Sequence, residues 1–291
     1  MAAVRKLIVV GAGLGGVSAA LWARSLGFDV VVIESGPTAG GQLHLVHFHP
    51  LNLAGFVEGE GPALAARLAG QLAEAGVDLR YGTPAVVLEA GATAVRSAGG
   101  ERLEVPGDRE FEGRGVSYSA TQDRPRFAGE EIVVVGGGDA AFENALLLVD
   151  VGCKVTIVTR GRPRARREFR ERVAFEQRIE VLERTRVVAV EGDRCVRAVR
   201  LEGTSGSFAL ETVGVVIKIG VLPNTEWCVT TLDHDAEGYL RVDAEFHTSH
   251  PRVWAAGDVT RPRVFGMAVA AGQGALAMAD IRRVLDGSDP S

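Results

Sequence analysis

Two stretches of this chain, 125 positions apart, repeat one pattern: a short apolar strand, a glycine-rich turn, a helix and a second strand. The first runs from Lys6–Val10 through Gly11-Ala12-Gly13-Leu14-Gly15-Gly16 into a helix expected over 17–25, and then into Asp29–Ile33. The other runs from Glu131–Val135 through Gly136-Gly137-Gly138 into a helix expected over 139–151 and a strand at 154–158. Parallel strands need a crossover helix between them, so each stretch builds a parallel sheet with helices on its faces. A repeat this long excludes a stacked solenoid. The pattern predicts an α/β chain with two Rossmann-like, doubly wound nucleotide-binding domains. The second, at 109–232, is expected to interrupt the first, built from 1–108 and 233–291.

Composition narrows the classes further. Hydrophobic residues make up 46% of the 291 and charged ones 24%, which suits a buried core and excludes a disordered or fibrous chain. The net charge of −5 argues against a nucleic-acid coat. No apolar run reaches the ~20 residues that span a bilayer, so no membrane partner is expected. The first apolar run leads straight into a glycine turn, which reads as a buried strand rather than a leader and gives a cytoplasmic expectation. Cys153, Cys195 and Cys228 stand too far apart for a Cys-x-x-Cys pair, a disulfide framework or a zinc site.

Gly11, Gly13 and Gly16 form G-x-G-x-x-G. The first allows a tight turn, the second lets a pyrophosphate approach the backbone, and the third lets helix and strand pack closely. The helix N-terminus adds N–H donors and positive potential. Glu34 closes the second strand 18 positions after Gly16, where a carboxylate accepts from ribose hydroxyls and repels a 2′-phosphate. The later turn is G-x-G-x-x-A, as Gly136, Gly138 and Ala141, and its second strand ends on Thr159-Arg160 instead of an acid. With Arg162, Arg164, Arg166 and Arg167 following, the cluster favours a 2′-phosphate, and so NADPH over NADH. For any one of these arginines a solvated loop is an equal alternative. Gly257-Asp258, after a strand expected at 252–256, can set a carboxylate on a polyol such as ribityl. A last helix, expected over 269–285, would aim its positive end at a flavin ring.

Taken in chain order, GAGLGG (11–16), GGQL (40–43), Asn52, VPGD (105–108), GRGVSYSATQD (113–123), VVVGGGDAA (133–141), KIGVLPNT (218–225), HTSHPRVWAAGDV (247–259) and AGQG (271–274) resemble the low-molecular-weight thioredoxin reductase family. That resemblance implies an FAD domain from the two ends of the chain, an NADPH domain between them, and a homodimer. It places Gly11, Gly13, Gly16, Glu34, Gly41, Gln42, Asn52, Gly257 and Asp258 at FAD, and Gly136, Gly138, Asp139, Ala141 and Arg160 at NADPH.

The departures carry as much information. The family's Cys-Ala-Thr-Cys-Asp stands here as Ser119-Ala120-Thr121-Gln122-Asp123. Serine and glutamine form neither a disulfide nor a thiolate, so no dithiol relay leaves the flavin by this route. Asp123 keeps a carboxylate that in the family handles protons beside the sulfur. The family's Arg-Gln before the last helix reads Phe265-Gly266, whose ring either lies at the flavin or belongs to the core. Its His-Arg-Arg reads Thr159-Arg160-Gly161, and 82–106 is shorter than its usual hairpin. His44, His47 and His49 fall near the expected flavin site. Flavin tuning or proton relay suits them better than metal ligation, and no metal is expected. Arg160 to Arg172 holds seven arginines in thirteen positions, as a solvated face or a dock for an acidic electron carrier.

These features point to an FAD-dependent NAD(P)H oxidoreductase that passes electrons from flavin directly to an acceptor such as ferredoxin or flavodoxin. Family members without the cysteines resemble thioredoxin-reductase-type ferredoxin–NADP reductases. Those usually add a C-terminal cover over the flavin, whereas this chain ends soon after its last helix. A non-catalytic sensor flavoprotein and a disulfide reductase with displaced cysteines are the alternatives. The intact second glycine turn speaks against the first of these.

Overall fold

The runs KLIVV and EIVVV are rich in β-branched residues, which favour strands covered on both faces. Both are strands in the computed structural model, which describes residues 5–47, 50, 53–56, 58–85, 93–94, 99–100 and 102–287 (backbone alone at 93–94, 99–100 and 221). The chain forms two compact units, 1–99 with 222–291, and 100–221. The crossings thus precede the 108/109 and 232/233 positions read from the sequence, and packing explains the shift. Leu103 and Val105 lie against the core of Val133, Val135 and Val190 in the second unit. Cys228 and Leu232 are buried with Leu240, Val253 and Val259 in the first, so Cys228 does not belong to the inserted unit.

In the first unit, four parallel strands lie in the order Asp78–Arg80, Asp29–Ile33, Lys6–Val10, Thr93–Ala94. The helix Leu14–Ser25 starts three residues earlier than expected, directly from the glycine turn. It packs on the last helix, Met267–Asp286, through glycine: a methyl built on Gly274 would overlap the Gly15 carbonyl oxygen. Residues 253–256 are buried, but they are not the predicted strand. Among the described residues their β pairing is a single bridge between His247 and Trp254.

The second unit has five parallel strands in the order Val116–Ser117, Gly214–Ile217, Glu131–Val135, Lys154–Thr159, Ile179–Glu183. The sheet order reverses between Glu131–Val135 and Gly214–Ile217. That is the switch point at which open α/β sheets take their ligands. The predicted strands near 185–202 and 208–219 resolve into an antiparallel sheet, Arg186–Gly192, Val196–Gly203 and Gly206–Glu211, plus the parallel strand Gly214–Ile217. Among the described residues no helix is long and apolar enough to cross a membrane.

Candidate functional site: two glycine turns

In the first unit Gly11 adopts φ +93°, a left-handed conformation that glycine takes without strain. A methyl on Gly16 would overlap the Gly11 carbonyl oxygen, so helix and turn touch there with no room for a side chain. The Cβ position of Gly13 has nothing within 4 Å, which leaves the backbone open on that side. The helix after it has no side-chain cap, so its first N–H groups remain available to a phosphate.

Glu34 does more than close its strand. Its Oε2 accepts from the Ala12 N–H at 2.8 Å and its Oε1 from the Gly36 N–H at 2.7 Å, so the carboxylate ties the second strand to the glycine turn. Gly41 opens a short 3-10 turn, Gly41–Leu45, that carries Gln42. Gln42 Nε2 donates to Asp258 Oδ2 at 3.0 Å across 216 positions of sequence. Burial pushes the Asp258 carboxyl upward, and the Gln42 bond partly offsets it. Gly257, at φ +85°, donates its N–H to Gln273 Oε1 at 2.7 Å. Gln273 lies in a stretch that matched the family, yet its anchoring role was not legible from sequence. The site thus joins both ends of the chain: a phosphate-ready turn, the Glu34 carboxylate and a half-buried Asp258 in one unit. These residues fit a dinucleotide.

Phe265 is 48% exposed, so it is not core; its ring lies tilted 6.3 Å from that of Tyr239. His44 Nε2 is 2.8 Å from the Ala39 carbonyl oxygen and 3.0 Å from Thr38 Oγ1. His47 Nδ1 lies 3.5 Å from Glu60 Oε2. Asn52 and His49 fall outside the described residues, as does most of 86–101. Among the described residues no three metal-ligating side chains converge.

The second turn repeats the design. Gly136 adopts φ +144°, and a methyl there would overlap the Lys218 carbonyl oxygen, while Gly138 is open and Ala141 is buried behind the turn. The arginine-rich segment folds back on this turn: the Arg164 and Ala165 N–H groups donate to the Gly137 carbonyl at 2.7 and 3.0 Å. Asp139 meets Arg166, accepting from its backbone N–H and its Nε, each at 2.6 Å. Arg166 is therefore held by a carboxylate. Arg160 instead lines a recess of about 330 Å³ with Arg184 and Arg186, the last paired to Glu202 at 2.5 Å. The net cationic lining suits a phosphate.

Ser119 precedes the helix Ala120–Phe127 and is buried. The Ala120 N–H donates to Asn144 Oδ1 at 3.0 Å, which pins that helix to the one following the glycine turn. Gln122 is exposed, and Asp123 lies 3.7 Å from Arg126. Of the three free thiols, Cys153 is buried and donates to the Phe127 carbonyl at 2.9 Å, and burial pushes it upward. Cys228 is buried and pushed up to about 11. Cys195 alone is exposed. The thiolate is the reactive form. A maleimide at pH 7.5 is therefore expected to modify Cys195 alone in the folded protein, with mass spectrometry of the digest as the check; rapid modification of Cys228 would contradict its burial.

Residues 5–275 match the pyridine nucleotide-disulphide oxidoreductase family. The chain is 31% identical to a thioredoxin reductase of Listeria innocua, over 94% of this chain and 92% of that protein. It is 33% identical to one of Streptomyces coelicolor, over 96% and 94%. Among solved structures, a thioredoxin reductase of Lactococcus lactis superposes with a TM-score of 0.91 at 26% identity, covering 97% of this chain and 99% of that one. FAD and NADPH are the cofactors of these enzymes, and two glycine turns of the required build are present here. The chain belongs to the pyridine nucleotide-disulphide oxidoreductase family, as a thioredoxin-reductase-like flavoprotein oxidoreductase.

Proposed function

We propose that this protein passes electrons from NADPH, through FAD, directly to an external acceptor, without a protein dithiol between. The observation that carries the reading is the pair Ser119 and Gln122, which by the resemblance stand at the positions of the family's redox cysteines. The placement of the thiols supports it: two are buried, which favours their neutral form, and the exposed one lies in the turn between Arg186–Gly192 and Val196–Gly203.

The first unit would hold FAD. Its pyrophosphate suits the turn at Gly11, Gly13 and Gly16, its ribose the Glu34 carboxylate, and its ribityl chain Asp258 as oriented by Gln42. The second unit would hold the nicotinamide nucleotide at Gly136, Gly138 and Ala141, with Arg160 toward the 2′-phosphate. When bound, FAD accepts electrons in pairs and can release them singly, which matches a one-electron carrier of the ferredoxin or flavodoxin class. Arg162, Arg164, Arg170 and Arg172 are exposed and have no ion-pair partner among the described residues. That supports attraction of an acidic carrier, with the association rate falling as salt rises.

The test is an anaerobic titration followed by turnover. NADPH is expected to bleach the yellow absorbance and to support ferricyanide reduction at the same rate in wild type and in the Cys153→Ala, Cys195→Ala, Cys228→Ala triple variant. Thioredoxin-dependent reduction of insulin in wild type, lost in the triple variant, would replace this reading with a disulfide reductase. No bleaching by NADPH or by NADH would leave the non-catalytic reading.

A further inference from the structure

The sheet order of the second unit fixes which half of a dinucleotide lies where. The strand after the first crossover, Lys154–Thr159, sits on one side of Glu131–Val135, and Gly214–Ile217 sits on the other. A dinucleotide crosses this switch point with its diphosphate on the glycine turn. Its adenosine ribose lies toward the end of the second strand, here Thr159-Arg160. The nicotinamide riboside half then lies past the turn, over the C-terminal end of Gly214–Ile217. The next residue there is Lys218.

Lys218 is locked in place by its backbone. Its N–H donates to the Val135 carbonyl at 2.8 Å, and its own carbonyl fills the space that a side chain on Gly136 would need. Its side chain is largely buried, so the ammonium loses hydration and its pKa falls below the usual lysine range. Glu143 acts against this fall and favours the charge. Glu143 is itself 8% exposed, on the helix Asp139–Val149 that starts at the same turn. Lys218, whose backbone abuts Gly136, and Glu143, on the helix that starts at that turn, thus belong to elements that meet at the glycine turn. A buried charge gains most where a ligand supplies hydrogen bonds to it. The phosphates are already provided for by the turn and the arginines on the opposite side.

We infer that Lys218 is a contact residue for the nicotinamide of the nucleotide, its ammonium donating to the carboxamide oxygen. The inference rests on the proposed role of this unit as the NAD(P)H domain. Binding to the holoprotein is measured with two probes, NADPH and 2′-phospho-ADP-ribose, which lacks only the nicotinamide. Lys218→Met is expected to weaken NADPH roughly tenfold, the loss of one hydrogen bond from a charged donor, and to leave 2′-phospho-ADP-ribose unchanged. Lys218→Arg, which keeps a cation, is expected to bind NADPH more tightly than Lys218→Met. Equal weakening of both probes in both variants, or no weakening of NADPH, would overturn the assignment. If wild type binds neither probe, the nucleotide-domain reading itself falls, and that outcome is distinct from the others.

Discussion

Gly16→Ala is expected to give protein that purifies without flavin. The added methyl has no direction in which to move, because the atom it meets is the backbone carbonyl of Gly11. Helix and turn must separate for it to fit. Overpacking of this kind typically costs about 1–3 kcal/mol in stability. The larger effect falls on binding, because the same displacement moves the N–H groups of the helix start away from a phosphate. An absorbance spectrum of the purified variant checks this, with FAD released by denaturation as the measure of occupancy. Full yellow occupancy in Gly16→Ala would mean that this turn is not the flavin site. Gly13→Ala is the informative contrast. Nothing lies within 4 Å of its Cβ position in the protein alone, so fold stability should hold while a bound pyrophosphate would be crowded.

Asp280→Ala is expected to produce the largest loss of stability of any single substitution considered. Asp280 lies on the last helix with its side chain only 6% exposed. Its Oδ2 accepts from Trp254 Nε1 at 2.9 Å and stands 2.9 Å from His247 Nε2. Its Oδ1 accepts from two guanidinium nitrogens of Arg283, at 2.9 and 2.5 Å. The ring of His247 in turn lies tilted against Trp254, with centroids 4.9 Å apart. One buried carboxylate therefore satisfies three side chains, and two of them, His247 and Trp254, hold the stretch 247–254 against the last helix. Removing one member of such a buried set leaves the others without partners and costs about 3–5 kcal/mol. The urea midpoint of unfolding is the measurement. Asp243→Ala serves as the comparison: Asp243 lies 2.9 Å from the other ring nitrogen of His247, but its side chain is 51% exposed. An exposed pair of this kind contributes about 0–1 kcal/mol and its Oδ1 bonds from the Glu245 and His247 N–H groups add about as much, so its midpoint should move less than that of Asp280→Ala.

Much of this was legible in the sequence, for an identifiable reason. The two glycine turns, their strands and their helices are set by local rules, namely β-branched runs, backbone clearance and crossover geometry. They appear where those rules put them. The segment 253–256 was misread because its apolar run is a strand in composition but has a single bridge as its pairing. The domain crossings were misplaced because Pro106-Gly107 looks like a linker, whereas Leu103 and Val105 on its N-terminal side already pack into the second core. Roles that depend on distant partners were invisible. Asp139 is engaged by Arg166, Gln273 anchors Gly257, and Lys218 abuts Gly136 only once the strands are assembled. Phe265 could not be placed from sequence, since an aromatic residue before a helix is as often buried as exposed.

The bond between Gln42 and Asp258 sets an order of events during synthesis. Residues 100–221 form a unit whose contacts are comparatively close in sequence, so it can fold while the remainder of the chain is still being made. The first unit cannot close until the stretch after 222 emerges from the ribosome and the helix Met267–Asp286 docks on Leu14–Ser25. Until then the nascent polypeptide carries a finished inner module between two unjoined flanks, so a flavin held as proposed by the first unit would be captured as the last step of maturation.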